Sequence, residues 1–100
     1  MNKPVRIILI DNAFEKYPKL TLRIKDSIER KKDFLKQNPF YGNNIPKRLI
    51  PKKYNVKNLW RIELTDFWRM LYTIKGDDLE IFCFVVDILN HKGYNKILKY

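Results

Sequence analysis

The chain carries a single histidine, His91, in its closing stretch ILNHKGYNKILKY (88–100), with Lys92 beside it and Tyr94 three residues on. Two arginines stand upstream, Arg61 in LWRIEL and Arg69 in FWRMLYTI, and Glu63 follows the first of them by two residues. Histidine has an ordinary pKa near neutrality and can serve as general acid or base. Arginine can hold two phosphate oxygens at once. Tyrosine can position a phosphate, assist proton transfer or stack on a base. These residue types suit the cleavage of RNA. In that reaction the substrate's own 2′-OH attacks and a base takes its proton. Cations hold charge on the phosphorane, and an acid protonates the departing 5′-oxygen. Neither metal nor covalent intermediate is required, because the nucleophile belongs to the substrate. Glu63 has two readings: a base that completes an acid/base pair with His91, or an ion-pair partner of Arg61 or Arg69 on one strand face. By itself His91 reads as a surface polar group; it gains meaning only in combination with the strand arginines and the basic loop.

Charge points toward an anionic partner. Twenty-one Lys and Arg against eleven Asp and Glu give a formal +10 on 100 residues. On so small a surface this favours nucleic acid, then an acidic protein, then an anionic membrane. The plain alternative is a basic protein from a lysine-rich proteome. No acidic residue falls between Asp33 and Glu63, a span holding seven Lys and Arg. Within it Lys47, Arg48, Lys52 and Lys53 are candidates for RNA contact, as is Lys92 at the far end of the chain, although a basic loop is as often simply solvated. One cysteine, Cys83, excludes an internal disulfide, and with one histidine it leaves the usual Cys/His zinc sets unfilled. We expect no metal and no cofactor. Neither a signal-type apolar stretch nor a run near the ~20 apolar residues of a membrane span is present, so a cytoplasmic protein without membrane association is expected.

The elements that must position these groups read as one domain over residues 1–100. PVRIILI (4–10) is a short apolar strand. Asp11 and Asn12 end it and can cap a short helix over 13–17, stopped near Pro18. KLTLRIKDSIERKKDFLKQ (19–37) places Leu20, Ile24, Ile28, Lys31 and Leu35 on one helical stripe, ended by Asn38–Pro39. Residues 38–58 are irregular. A meander follows: LWRIEL (59–64), FWRMLYTI (67–74), a turn at KGDD (75–78), and LEIFCFVVDIL (79–89), apolar on both faces as a central strand should be. The last segment, YNKILKY, is too short to assign. A helical layer on one face of a mostly antiparallel sheet makes the fold class α+β. If Trp60, Ile62, Trp68, Met70 and Tyr72 face the helices, Arg61 and Arg69 share the opposite face. That requires an odd connection, most simply Leu64–Thr65–Asp66 with Arg61 opposite Arg69.

In order and spacing the chain resembles the RelE/ParE superfamily of small toxins, especially RelE-like archaeal members. The resemblance rests on a first strand, a helical hairpin ending in NPF, the basic IPKRLIPKKY, the hairpin LWRIELTDFWRMLYTI, an apolar strand and a terminal HKGY. It implies a type II toxin that cuts mRNA, in ribonuclease members at the ribosome, and a cognate antitoxin with an acidic or amphipathic segment. By resemblance Arg69 is the phosphate-binding strand arginine and Arg61 a basic residue of the preceding strand. His91 is similar to the terminal acid/base histidine of YoeB-type relatives, and Tyr94 lies near the family's catalytic tyrosine. Glu63 departs from the pattern, standing where some RelE-type toxins carry a lysine. The ParE branch shares the fold, lacks the ribonuclease residues and inhibits DNA gyrase; a non-catalytic RNA- or ribosome-binding domain is the third reading.

Overall fold

The run IFCFVVDIL is apolar on both faces because it lies between strands and between layers. In the computed structural model, which describes residues 3–98, it forms β5 (Ile81–Leu89). The chain begins with β1 (Val5–Leu9), α1 (Asp11–Lys16) and α2 (Leu22–Gln37). Then come β2 (Asn43–Asn44), β3 (Trp60–Glu63), β4 (Arg69–Gly76), β5 and finally α3 (His91–Leu98). One sheet takes the order β1-β5-β4-β3-β2. β1 runs parallel to β5 and every other pairing is antiparallel.

The first helix starts two residues earlier than expected, and neither Asp11 nor Asn12 caps it. Ile10 is the cap residue, with no side-chain cap bond. Its N–H is tied to the Val85 carbonyl at 2.9 Å while its own carbonyl accepts from Ala13 and Phe14. Asp11 absorbs the sharp turn at φ 51°, a conformation Asp tolerates better than most residues. Pro18 lies in the 3-10 turn Tyr17–Lys19 that follows. Thr21 caps α2 by accepting from Ile24 N–H. The buried stripe Ile24, Ile28 and Leu35 then packs on the sheet with Ala13, Ile62, Met70, Tyr72, Cys83 and Val85. Burial pushes the Cys83 thiol up to about 11, which leaves it a protonated core group.

The opposite face is also partly covered. There Ile45, Leu59, Leu71, Val86, Leu89, Tyr94 and Leu98 form a second core, flanked by Leu49, Ile50, Tyr54 and Val56. Thus YNKILKY, unassigned from sequence, supplies residues 94–98 of α3, its last two residues lying outside the described ones; Tyr94 and Leu98 are one turn apart and buried. Its Asn90 cap accepts from Gly93 N–H at 2.7 Å.

The β3–β4 register differs from the expected one by two residues. Glu63, not Arg61, lies opposite Arg69, and Arg61 lies opposite Leu71. The connection is Leu64–Trp68, closed by Leu64 N–H donating to the Trp68 carbonyl at 2.8 Å. An even shift preserves the face of every side chain. Arg61 and Arg69 therefore do share the face away from α1 and α2.

Two devices hold the layers in place. At a β-bulge in β5, Leu71 pairs with Asp87 and Tyr72 with Val85, leaving Val86 as the extra residue. The fully buried Asp87 carboxylate accepts from Lys16 Nζ at 2.7 Å, the Tyr54 hydroxyl at 2.7 Å and Asn12 Nδ2 at 3.3 Å. It thereby ties α1 and the 52–54 turn to the same strand. Burial, and then this bond to Asp87, push the Tyr54 phenol up. At the other edge Gly42 N–H donates to the Tyr72 hydroxyl at 3.1 Å, and that hydroxyl donates to the Pro39 carbonyl. A Cβ at Gly42 would lie 2.4 Å from the Arg61 carbonyl oxygen, so only glycine admits this approach.

Candidate active site

Four of the residues singled out by type meet at one end of the sheet. Arg69 opens β4, Arg61 sits on β3 beside it, and α3 starts at His91 directly after β5, whose Leu89 pairs with Arg69. Arg69 Nη1 lies 3.4 Å from His91 Nδ1. Arg61 Nη1 donates to the Tyr94 hydroxyl at 2.9 Å. The Tyr94 ring lies under both cations, 4.4 Å from Arg69 Cζ and 5.7 Å from Arg61 Cζ. Such cation–π contacts are favourable and most so when desolvated.

Tyr94 is only 1% exposed. The ring is a pillar that spaces and orients two guanidinium groups, which makes it a positioning residue in this conformation. The Arg69 side chain is 16% exposed, and its Nη2 lies 3.6 Å from Glu63 Oε1. Glu63 thus takes the ion-pair geometry of its two readings, made possible because the actual register sets it directly opposite Arg69. Arg69 Nε is buried and has no hydrogen-bond partner among the described residues.

The histidine is held from both sides. Its Nε2 lies 3.1 Å from the Asn95 amide, one turn along α3. Arg69 Nη1 can only donate, so contact with it makes Nδ1 the acceptor and assigns the ring hydrogen of that tautomer to Nε2. The Asn95 amide nitrogen faces Nε2, and the amide must turn end for end for its oxygen to accept there. The Phe67 ring stands edge-to-face with His91 at 6.3 Å. Sequence reasoning missed both Asn95 and Phe67. The i, i+4 spacing from His91 would have flagged Asn95 once α3 was read as a helix; nothing comparable flags Phe67.

The basic stretch goes elsewhere. Lys47 and Lys52 line a groove of about 1050 Å³ together with Lys57, Asn58, Ile74 and Lys75. Ile74 lies five residues along β4 from Arg69, roughly 17 Å at ~3.3 Å per residue. Arg48 and Lys53 do not line this groove. Lys47 and Lys52 thus belong to a lysine groove toward the far end of β4, apart from the guanidinium–imidazole cluster at its start. Lys92 follows His91 on α3 and is exposed.

An α+β domain with a five-stranded mixed sheet, a helical pair on one face and an Arg-Arg-His-Tyr cluster at the sheet end is the class these features define. Neither protein-family models nor curated proteins give a match. Among solved structures the chain is similar to a YoeB/ParE toxin from Agrobacterium tumefaciens. The TM-score is 0.61 at 18% identity, over 86% of this chain and 98% of that one. The chain has the fold of the RelE/ParE toxins, as its motif order implies. No helix among the described residues is long and apolar enough to cross a membrane.

Proposed function

We propose that this chain is a toxin of a type II toxin–antitoxin pair that cleaves mRNA by attack of the 2′-OH on the adjacent phosphate. One observation carries the reading: the only histidine lies 3.4 Å from a strand arginine, on the sheet face that also holds Arg61. In the reaction the 2′-oxygen bonds to phosphorus and the P–O5′ bond breaks, leaving a 2′,3′-cyclic phosphate and a 5′-hydroxyl. One proton leaves the 2′-oxygen and one joins the 5′-oxygen. His91 is the group for this proton traffic. Arg69, its Nη1 already beside the imidazole, neutralises charge on the phosphorane. Arg61 adds positive potential, and Tyr94 holds both cations in place. Lys92 and the groove lysines Lys47 and Lys52, with Arg48 and Lys53 on the neighbouring turns, hold RNA or ribosomal RNA outside the reacting centre. The fold also supports a cognate antitoxin with an acidic or amphipathic segment.

A specific observation favours a second reading, a non-enzymatic inhibitor of the gyrase-binding type. Tyr94 and most of Arg69 are covered, as a purely structural cluster would be. Primer extension on mRNA after induction separates the two. Discrete cuts that disappear with Arg69→Ala and His91→Ala support the nuclease. Growth arrest with intact mRNA refutes it.

A further inference from the structure

The Leu64–Trp68 connection contains the one bulky residue among the described positions held at positive φ. Asp66 (φ 58°) and Phe67 (φ 63°) follow one another in the left-handed region. Asp and Asn visit it readily; phenylalanine does so at a cost. Such a conformation persists only where its surroundings impose it. Here α2 does so with three tethers. Ser27 Oγ accepts from Thr65 N–H at 3.1 Å, while Arg23 donates to Asp66 Oδ2 at 2.7 Å and to Thr65 Oγ1 at 3.3 Å.

Nothing in the fold's own packing explains the side chain at the tip. Phe67 is 77% exposed, so its ring does not repay the strain by burial. It is aimed, however: it stands 6.3 Å from the His91 ring, and His91 in turn adjoins Arg69. An exposed aromatic ring beside an imidazole that itself adjoins an arginine matches a nucleobase flanked by its phosphate.

We propose that Phe67 is a base-stacking residue, a rigid platform for the nucleobase next to the phosphate that Arg69 holds. The assignment rests on the ribonuclease reading and adds a substrate contact to it. Stacking on one ring is tolerant of sequence because every base has a π-face, so the platform accepts any base at that position. The strained loop trades stability for a fixed ring.

The test uses the full chain and its Phe67→Ala, Phe67→Trp and Phe67→Gly variants. The probe is a single-stranded RNA hexamer carrying 2-aminopurine, read by fluorescence, alongside thermal melting and the mRNA cleavage assay. Phe67→Ala and Phe67→Gly bind the hexamer roughly 5- to 150-fold more weakly. Phe67→Trp keeps the affinity and quenches the probe. Phe67→Gly, relieved of the positive φ, melts no lower than the parent. Unchanged RNA binding and cleavage in Phe67→Ala, with Arg69→Ala inactive, overturns the stacking role and leaves the ribonuclease standing. If the parent neither binds nor cleaves RNA, both readings fall. Loss of binding to a protein partner alone, or a lower melting point in Phe67→Gly, also overturns it.

Discussion

Replacing Glu63 by glutamine separates its two chemical readings by more than an order of magnitude. The carboxylate is 64% exposed and lies 3.6 Å from Arg69 Nη2. An ion pair so open to water contributes only ~0–1 kcal/mol to stability, so Glu63→Gln leaves the unfolding free energy nearly unchanged. Its effect on substrate is larger and opposite in sign. A phosphate bound to Arg69 would sit roughly 6 Å from the carboxylate. At an effective dielectric of ~40–80 their repulsion is about 0.7–1.4 kcal/mol. Removing it tightens RNA binding roughly 3- to 10-fold, and the gain shrinks as ionic strength rises. Were Glu63 the general base, the same substitution would lower the cleavage rate by roughly 10²–10⁴. RNA binding at two salt concentrations, cleavage rate and urea denaturation on the same samples decide the matter. A hundredfold drop in rate would refute the ion-pair assignment; weaker binding would refute the electrostatic reasoning.

Two further substitutions test how the scaffold holds the site. Gly42→Ala forces a Cβ to within 2.4 Å of the Arg61 carbonyl and 2.6 Å of the Tyr72 hydroxyl. It should cost about 1–3 kcal/mol in urea denaturation, as overpacking does, and loosen the β2 edge beside Arg61. Asp87→Ala removes the acceptor shared by Lys16, Tyr54 and Asn12. Lys16, 41% exposed, regains water while the Tyr54 hydroxyl stays sheltered, so the expected loss is about 2–4 kcal/mol. Asp87→Asn, which keeps one acceptor oxygen, should lose less; equal losses would show that geometry rather than the acceptor is at stake.

The local patterns carried much of this molecule. Alternation in LWRIEL and FWRMLYTI put Trp60, Ile62, Met70 and Tyr72 on one face and Arg61 and Arg69 on the other, and the structure keeps that division. It does so despite a wrong register, because side-chain direction depends on whether the shift is odd or even. The two-sided run IFCFVVDIL announced an interior strand, and the stripe through Ile24, Ile28 and Leu35 announced the packed face of α2. These signals are legible because burial leaves its period on consecutive residues.

Other features depend on partners far away in the chain. The left-handed pair Asp66–Phe67 exists because Arg23 and Ser27, some forty residues earlier, bind the loop. The helix start at Asp11 follows from the bond of Ile10 to Val85. Tyr94 resembled an accessible catalytic group in sequence, yet α3 folds back and buries it between two arginines. Lys47 and Lys52 share a sign of charge with the arginine cluster but lie in a different groove. Composition and period therefore determined which residues face outward and what chemistry they carry. Only tertiary packing decided that His91 reaches Arg69 while the lysines gather at the other end of β4, because distances between segments are set by long-range contacts that no local window records.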